Sequence, residues 1–195
     1  MTLAERIAHL DWAAIGAGLD AQGFVVLSGL LEQPDFAALR AALYPPLAVI
    51  ANRWSSLLDQ TDTWPASLAE LHVRCHNARQ HRELSHLHRL RQGEWLELRQ
   101  QTEGSVQFPL QLSGLLSRPG QDFDGGELVL TEQRPRLQSR PIVVPLAQGE
   151  LVLFASRYRP AGGAQGHYRV STRQAVSRVR HGERRGLELY FHLAP

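Results

Sequence analysis

From about Ser85 onward the chain is a succession of short apolar runs of strand length, separated by Gly, Pro and Asp turns. This constrains the fold more than any other feature, because the residues before it read as helices. Residues 3–23, "LAERIAHLDWAAIGAGLDAQG", place apolar side chains near helical spacing, with Gly23 as the stop. "FVVLSGLL" follows as an apolar run of strand length. Pro34 then stands near the start of a helix, and "DFAALRAALYPPLAVIANRWSSLL" is helical in pattern with a break at Pro45-Pro46. "QTDTWPA" reads as a turn before another helix, "SLAELHVRCHNARQH". No repeat, linker or low-complexity tract interrupts the order. Helices first and strands afterwards predict an α+β domain. Its expected form is one domain over 1–195, with a supporting helical layer over about 1–82 and a double-stranded β-helix, or jelly roll, over about 83–195.

Several functions are excluded before any motif is considered. All 21 basic residues are arginine, so lysine Schiff-base chemistry cannot occur. The single cysteine, Cys75, rules out an internal disulfide and a cysteine-based zinc cluster. No apolar run reaches the ~18 residues of a membrane span. The N-terminal "MTLAERIAHLDW" has neither a basic nor an apolar signal region, so a cytoplasmic protein is expected. Arginines crowd between Arg157 and Arg185, where Glu183 is the one acid. A solvated strand face with one buried anion-binding arginine is the reading preferred over a nucleic-acid groove.

The motifs carry a resemblance. "FPLQLSGLLSRPGQDFDGGELVLTEQRPRLQSR", then "VVPLAQGELVLFASRYRP" and "YRVSTRQAVSRVRHGERRGLELYFH", resemble the sheet core of the bacterial 2-oxoglutarate/Fe(II) dioxygenases, in their prolyl-hydroxylase-like branch. "GFVVLSGLL", "ALYPPLAVIANRW" and "RCHNARQ" resemble that family's first strand and helical layer. The resemblance implies an iron held by two histidines and one carboxylate. Carried over by position, the first histidine falls on Arg99, the carboxylate on Gln101, and the second histidine on Gln174 of "RQAVSRV". A guanidinium has no lone pair to give a metal, and amide oxygens are weak ligands. The arginine that anchors the distal carboxylate of 2-oxoglutarate falls on Arg184, which is kept. Its usual hydroxyl partners fall on Gly186 and Leu90. No metal is therefore expected at the family site, and no cofactor.

Strand parity then assigns an interior. Counting from Leu90 and Arg184 gathers His86, His88, Arg99, Gln101, Gln174, Arg184, Glu188 and Tyr190 into one polar pocket. Buried polar groups need partners, either each other or a ligand. Arg99 can substitute a fixed positive charge for the metal and pair with Glu188 or with a ligand carboxylate. Glu188, Tyr190 and His88 are the candidate acid/base groups. His86 and His88, two residues apart on one strand, are a candidate relocated metal site, with Glu188 or His167 as third ligand. His72 and His76 are read as structural. Three functions stay open. One is a binding or partner protein, and another is an enzyme of non-oxidative chemistry acting on a small acidic molecule. The third is a dioxygenase using relocated ligands, a divalent metal and optionally 2-oxoglutarate. A protein partner stays open; nucleic acid and membrane are not expected.

Overall fold

The computed structural model describes residues 2–31, 35–61 and 63–195; Pro34 lies outside them. The N-terminal residues fold as two short helices, α1 (Leu3–Ala8) and α2 (Trp12–Gln22). Thr2 and Glu5 form a reciprocal capping box on α1, and α2 stops where Gly23 takes the left-handed φ of 82°. β1 (Phe24–Leu27) follows, then α3 (Phe36–Leu57) and α4 (Leu68–Asn77), the last capped by Ser67 and Glu70.

The break expected at Pro45-Pro46 does not occur: α3 runs through both prolines. Two adjacent prolines remove two neighbouring N–H donors, a local cost. Around them Leu43, Tyr44, Leu47 and Ala48 are buried against the sheet and neighbouring helices. Each large apolar side chain buried this way contributes ~1.5–3 kcal/mol. Packing outweighs propensity here.

The remaining strands make two antiparallel sheets. The first orders β1, β8 (Leu151–Ala155), β4 (Leu110–Leu115), β11 (Val179–Leu189) and β2 (His86–Arg91), with β5 (Phe123–Gly125) also on β11. The second orders β3 (Leu96–Arg99), β10 (Gly166–Val176), β6 (Leu128–Gln133) and β7 (Arg140–Val144), with β9 (Tyr158–Gly163) also on β10. Alternation separates two cores. Leu151, Leu153, Leu110, Leu112, Leu187 and Leu189 face the helices, while Val152, Phe154, Leu115 and Leu90 pack with Leu128, Leu130, Val144 and Val176 of the second sheet. The architecture is a double-stranded β-helix backed by helices on one sheet. Among the described residues no helix is long and apolar enough to cross a membrane.

Candidate functional site

The strand registers place the predicted residues. Arg99 stands opposite Gln174 where β3 pairs with β10. Where β11 pairs with β2, Arg184 faces Leu90, Gly186 faces His88 and Glu188 faces His86. These positions share the barrel side of their strands, as parity requires. They nevertheless form two groups, not the single pocket read from the sequence. Arg184 and Glu188 are four residues apart on one strand, roughly 13 Å along it.

The first group fills the barrel between the ends of β3, β10 and β11. Gln174 Nε2 donates to Glu188 Oε2 at 3.4 Å and to the Tyr190 hydroxyl at 3.3 Å, and Ser113 Oγ donates to Glu188 Oε1 at 3.0 Å. The Arg99 charge is close enough to Tyr190 to oppose the rise of its pKa. Among the ion pairs of the described residues none joins Arg99 to Glu188, so the direct salt bridge read from the sequence is absent. The Arg99 charge still favours the carboxylate form of Glu188, but burial is the larger effect and pushes its pKa up. Burial likewise pushes the Tyr190 phenol up, so it remains protonated. The Gln101 amide nitrogen is buried without a protein partner.

The second group is Arg184 with His88. Arg184 is 1% exposed, and its Nε donates to the Gly126 carbonyl at 2.9 Å. Its Nη1 lies 2.8 Å from His88 Nε2. An arginine can only donate, so that ring nitrogen accepts and the proton of the neutral imidazole sits on Nδ1. Nδ1 is buried with no protein partner. Burial first, then the Arg184 charge, hold the His88 pKa down to about 3, so the ring stays neutral at ordinary pH. Two glycines shape this niche. A Cβ on Gly186 would meet His88 Nε2 at 2.4 Å and Arg184 Nη1 at 2.5 Å, and one on Gly126 would meet Arg184 Cδ at 2.9 Å. The hydroxyl that the resemblance expects at position 186 is missing because the Arg184–His88 contact occupies its space.

Arg184 reaches a cavity of about 750 Å³ at its own end of the barrel, walled mainly by apolar residues that include Leu115, Phe123, Leu128 and Val144. Asp124, Glu127 and Glu150 stand among its lining residues: Ser177 engages Glu127, Ser28 engages Glu150, and Asp124 is exposed at the mouth beside Arg180 in the same lining. Among the described residues no carboxylate lies within 4 Å of the Arg184 guanidinium.

His86 is exposed at the sheet edge, its Nδ1 on the Leu84 carbonyl, and its ring centre is 6.1 Å from that of His88. His167 sits at the tip of the β9–β10 hairpin opposite Gly162, in the other sheet, and lines a surface cleft with Arg134 and Leu137. No three His, Cys, Asp or Glu groups among the described residues come together as a metal site. His72 is tied to the Phe191 carbonyl, and His76 stacks on His81. Three buried polar residues of the interior, Gln111, Ser113 and Thr172, were not anticipated. Their signal is the alternation in "LQLS" and "VSTRQ", where polar residues take the positions that face inward.

With this geometry in place, comparison with known proteins places the chain. A family described as "Oxygenase, catalysing oxidative methylation of damaged DNA" matches residues 31–194. The chain belongs to this oxygenase family. Two Mycobacterium tuberculosis proteins, from strains H37Rv and CDC 1551, are each 39% identical over 154 residues, covering 79% of this chain. The chain spans 66% of the length of these curated relatives. Among solved structures, a Pseudomonas putida prolyl-4-hydroxylase overlaps with a TM-score of 0.49 at 18% identity, covering 95% of this chain and 96% of its own. A Burkholderia pseudomallei oxidoreductase of the 2OG-Fe(II) oxygenase family overlaps with a TM-score of 0.46 at 19% identity, covering 95% and 93%. The oxygenase kinship read from the motifs is thus the family of the chain.

Proposed function

We propose that this member of the oxygenase family works without iron and that its barrel binds a small organic acid with an apolar body. The observation that carries the reading is Arg99 opposite Gln174 in the β3–β10 ladder, where the resemblance calls for two metal-binding histidines. The donor set there is a guanidinium and an amide, with Gln174 already engaged by Glu188 and Tyr190, and the carboxylate position beyond β3 holds the amide of Gln101. Iron does not fit these residues. No oxidative step follows from them, and the DNA chemistry in the family description is not carried over.

The anchor for 2-oxoglutarate fits only in part. Arg184 supplies one cation, but Gly186 and Leu90 supply no hydroxyl. A buried guanidinium without a neighbouring carboxylate favours an anion, and the apolar cavity beside it favours a hydrocarbon body. Neutral His88 accepts from Arg184 Nη1 and so orients the guanidinium. Burial shifts Glu188 and Tyr190 toward their protonated forms, and both are held in hydrogen bonds to Gln174 inside the barrel. The reading is therefore binding in preference to turnover. A reducing, cytoplasmic setting agrees with the buried free thiol of Cys75. The alternative, metal chemistry through His86 and His88, lacks a third ligand among the described residues.

A thermal-shift screen with millimolar dicarboxylates and alkyl carboxylates tests this. Ligands that bind the folded state raise the melting temperature by linkage. Wild-type protein is expected to be stabilised by a subset of these acids, and Arg184→Ala to lose that response. Removing exposed Arg136 should leave it intact. A flat response across all the acids would reject the ligand-binding reading.

A further inference from the structure

A second cavity, of about 270 Å³, lies outside the barrel, between the C-terminal part of α3, the segment linking β3 to β4, and the β9–β10 pair. It is lined by Arg157, Arg169, Tyr158, Trp64, Gln107 and Ser105 among others, and none of its described lining residues is acidic. Tyr158 and Ser171 are opposed on the β9–β10 ladder, and Arg169 is two residues from Ser171, so Tyr158 and Arg169 share the outer face of that sheet. The Arg157 guanidinium lies 4.8 Å from the Tyr158 ring centre and that of Arg169 lies 5.8 Å from it.

Two like charges are thus held beside one aromatic ring. Among the described residues neither has a carboxylate within 4 Å. Arg157 Nη1 donates to Gln107 Oε1 at 3.1 Å, while its Nε is buried with no protein partner. The position of Arg157 is fixed from behind: Gln100 Nε2 donates to the Arg157 carbonyl at 3.1 Å, to the Thr172 carbonyl at 2.7 Å and to Ser171 Oγ at 3.0 Å. The site therefore sets a braced Arg157 with an unused donor beside the exposed Arg169 and the Tyr158 ring, while Arg74, also in the lining, covers the Trp64 ring at 5.1 Å from its centre.

We infer that this outer cavity binds a nucleotide unit, with its phosphate between Arg157 and Arg169 and its base against Tyr158. An anion between the two guanidinium groups relieves their mutual repulsion and satisfies the buried Nε. Aromatic side chains beside paired arginines are a stacking surface for a base. Simple acids lacking a ring use only half of these groups. The inference does not rest on the reading of the barrel, because it shares neither Arg184 nor Arg99 with it.

Trp54 and Trp64 both line the cavity, so intrinsic fluorescence reports on it. Three probes are compared at low salt: inorganic phosphate, thymidine monophosphate and a ten-residue thymidine oligonucleotide. Both nucleotide probes are expected to bind more tightly than phosphate, and Arg157→Gln with Arg169→Gln to weaken them at least tenfold. Tyr158→Leu should remove the preference for nucleotide over phosphate, and Arg140→Gln, at an exposed position on β7, should change nothing. Binding that tightens from mononucleotide to strand and falls steeply with salt assigns the site to a nucleic-acid chain; equal binding of the two assigns it to a free nucleotide. No binding by either nucleotide, equal binding of all three probes, or an unchanged affinity in the double variant overturns the inference. If the double variant does not fold, the Tyr158→Leu comparison still decides it.

Discussion

At the scale of residues, the barrel interior is a set of substitutions that depend on one another. Gly186 exists beside the Arg184–His88 contact because any side chain there would strike both partners. Gly186→Ser, which restores the hydroxyl of the resemblance, is expected to cost about 1–3 kcal/mol through overpacking. In a His88→Ala background the same change should cost at least ~0.5 kcal/mol less, since neighbours couple. Urea denaturation of the four proteins measures this, and strict additivity would contradict the packing argument. Histidine burial also predicts acid lability. His192 Nδ1 accepts from the Phe108 N–H at 3.2 Å, and burial, then the Arg40 charge, lower its pKa from the ordinary 6.5 to about 4. The unfolded chain therefore takes up its proton first. The contribution of His192 is complete above about pH 6.5 and is lost as pH falls toward 4, by at most ~1.4 kcal/mol per pH unit. His88 acts in the same direction, whereas Glu188, raised by burial, acts in the opposite one. Subtracting the stability profile of His192→Gln from that of wild type between pH 7 and 4.5 isolates the effect, and a difference independent of pH would refute it.

At the scale of elements, α3 is the instructive case. Pro45 is exposed within a helix whose opposite face is buried. Pro45→Ala restores an N–H without removing a packed side chain, so we expect it to raise stability by about 1–2 kcal/mol in chemical denaturation. A loss of stability would mean that the prolines fit the helix in a way packing does not explain. The proline pair was legible in the sequence, but its outcome depended on burial across a sheet that local pattern cannot reveal. The strands were easier to read. Alternation in "LVLF" and "LELY" reports directly which side chains face helices and which face the barrel. Parity likewise put Arg99, Gln174, Arg184 and Glu188 inside. It could not divide them, because distance along β11 and the neighbour across β4 decide which groups meet. Ser113 on Glu188 and His88 on Arg184 are contacts set by registers, and a single strand does not carry its register.

At the scale of the whole molecule, the family motifs hold the scaffold while the centre of the barrel carries arginine and glutamine. On the proposed iron-free reading, a core packed around Glu188, Gln174, Tyr190 and Arg99 holds the two sheets together in place of a metal crosslink. The account predicts that the fold does not need iron: a chelator such as EDTA should leave the melting temperature unchanged. The most direct test of the central claim is Fe(II) binding under anaerobic conditions, measured by calorimetry on wild type and on the variant Arg99→His, Gln101→Asp, Gln174→His. The account predicts no iron site in wild type and a gain of one equivalent of bound metal in the triple variant, because the β3–β10 register already places positions 99 and 174 opposite one another and position 101 follows just beyond the end of β3. One equivalent of Fe(II) bound by wild type, and lost on Gln101→Ala with Gln174→Ala, would contradict it.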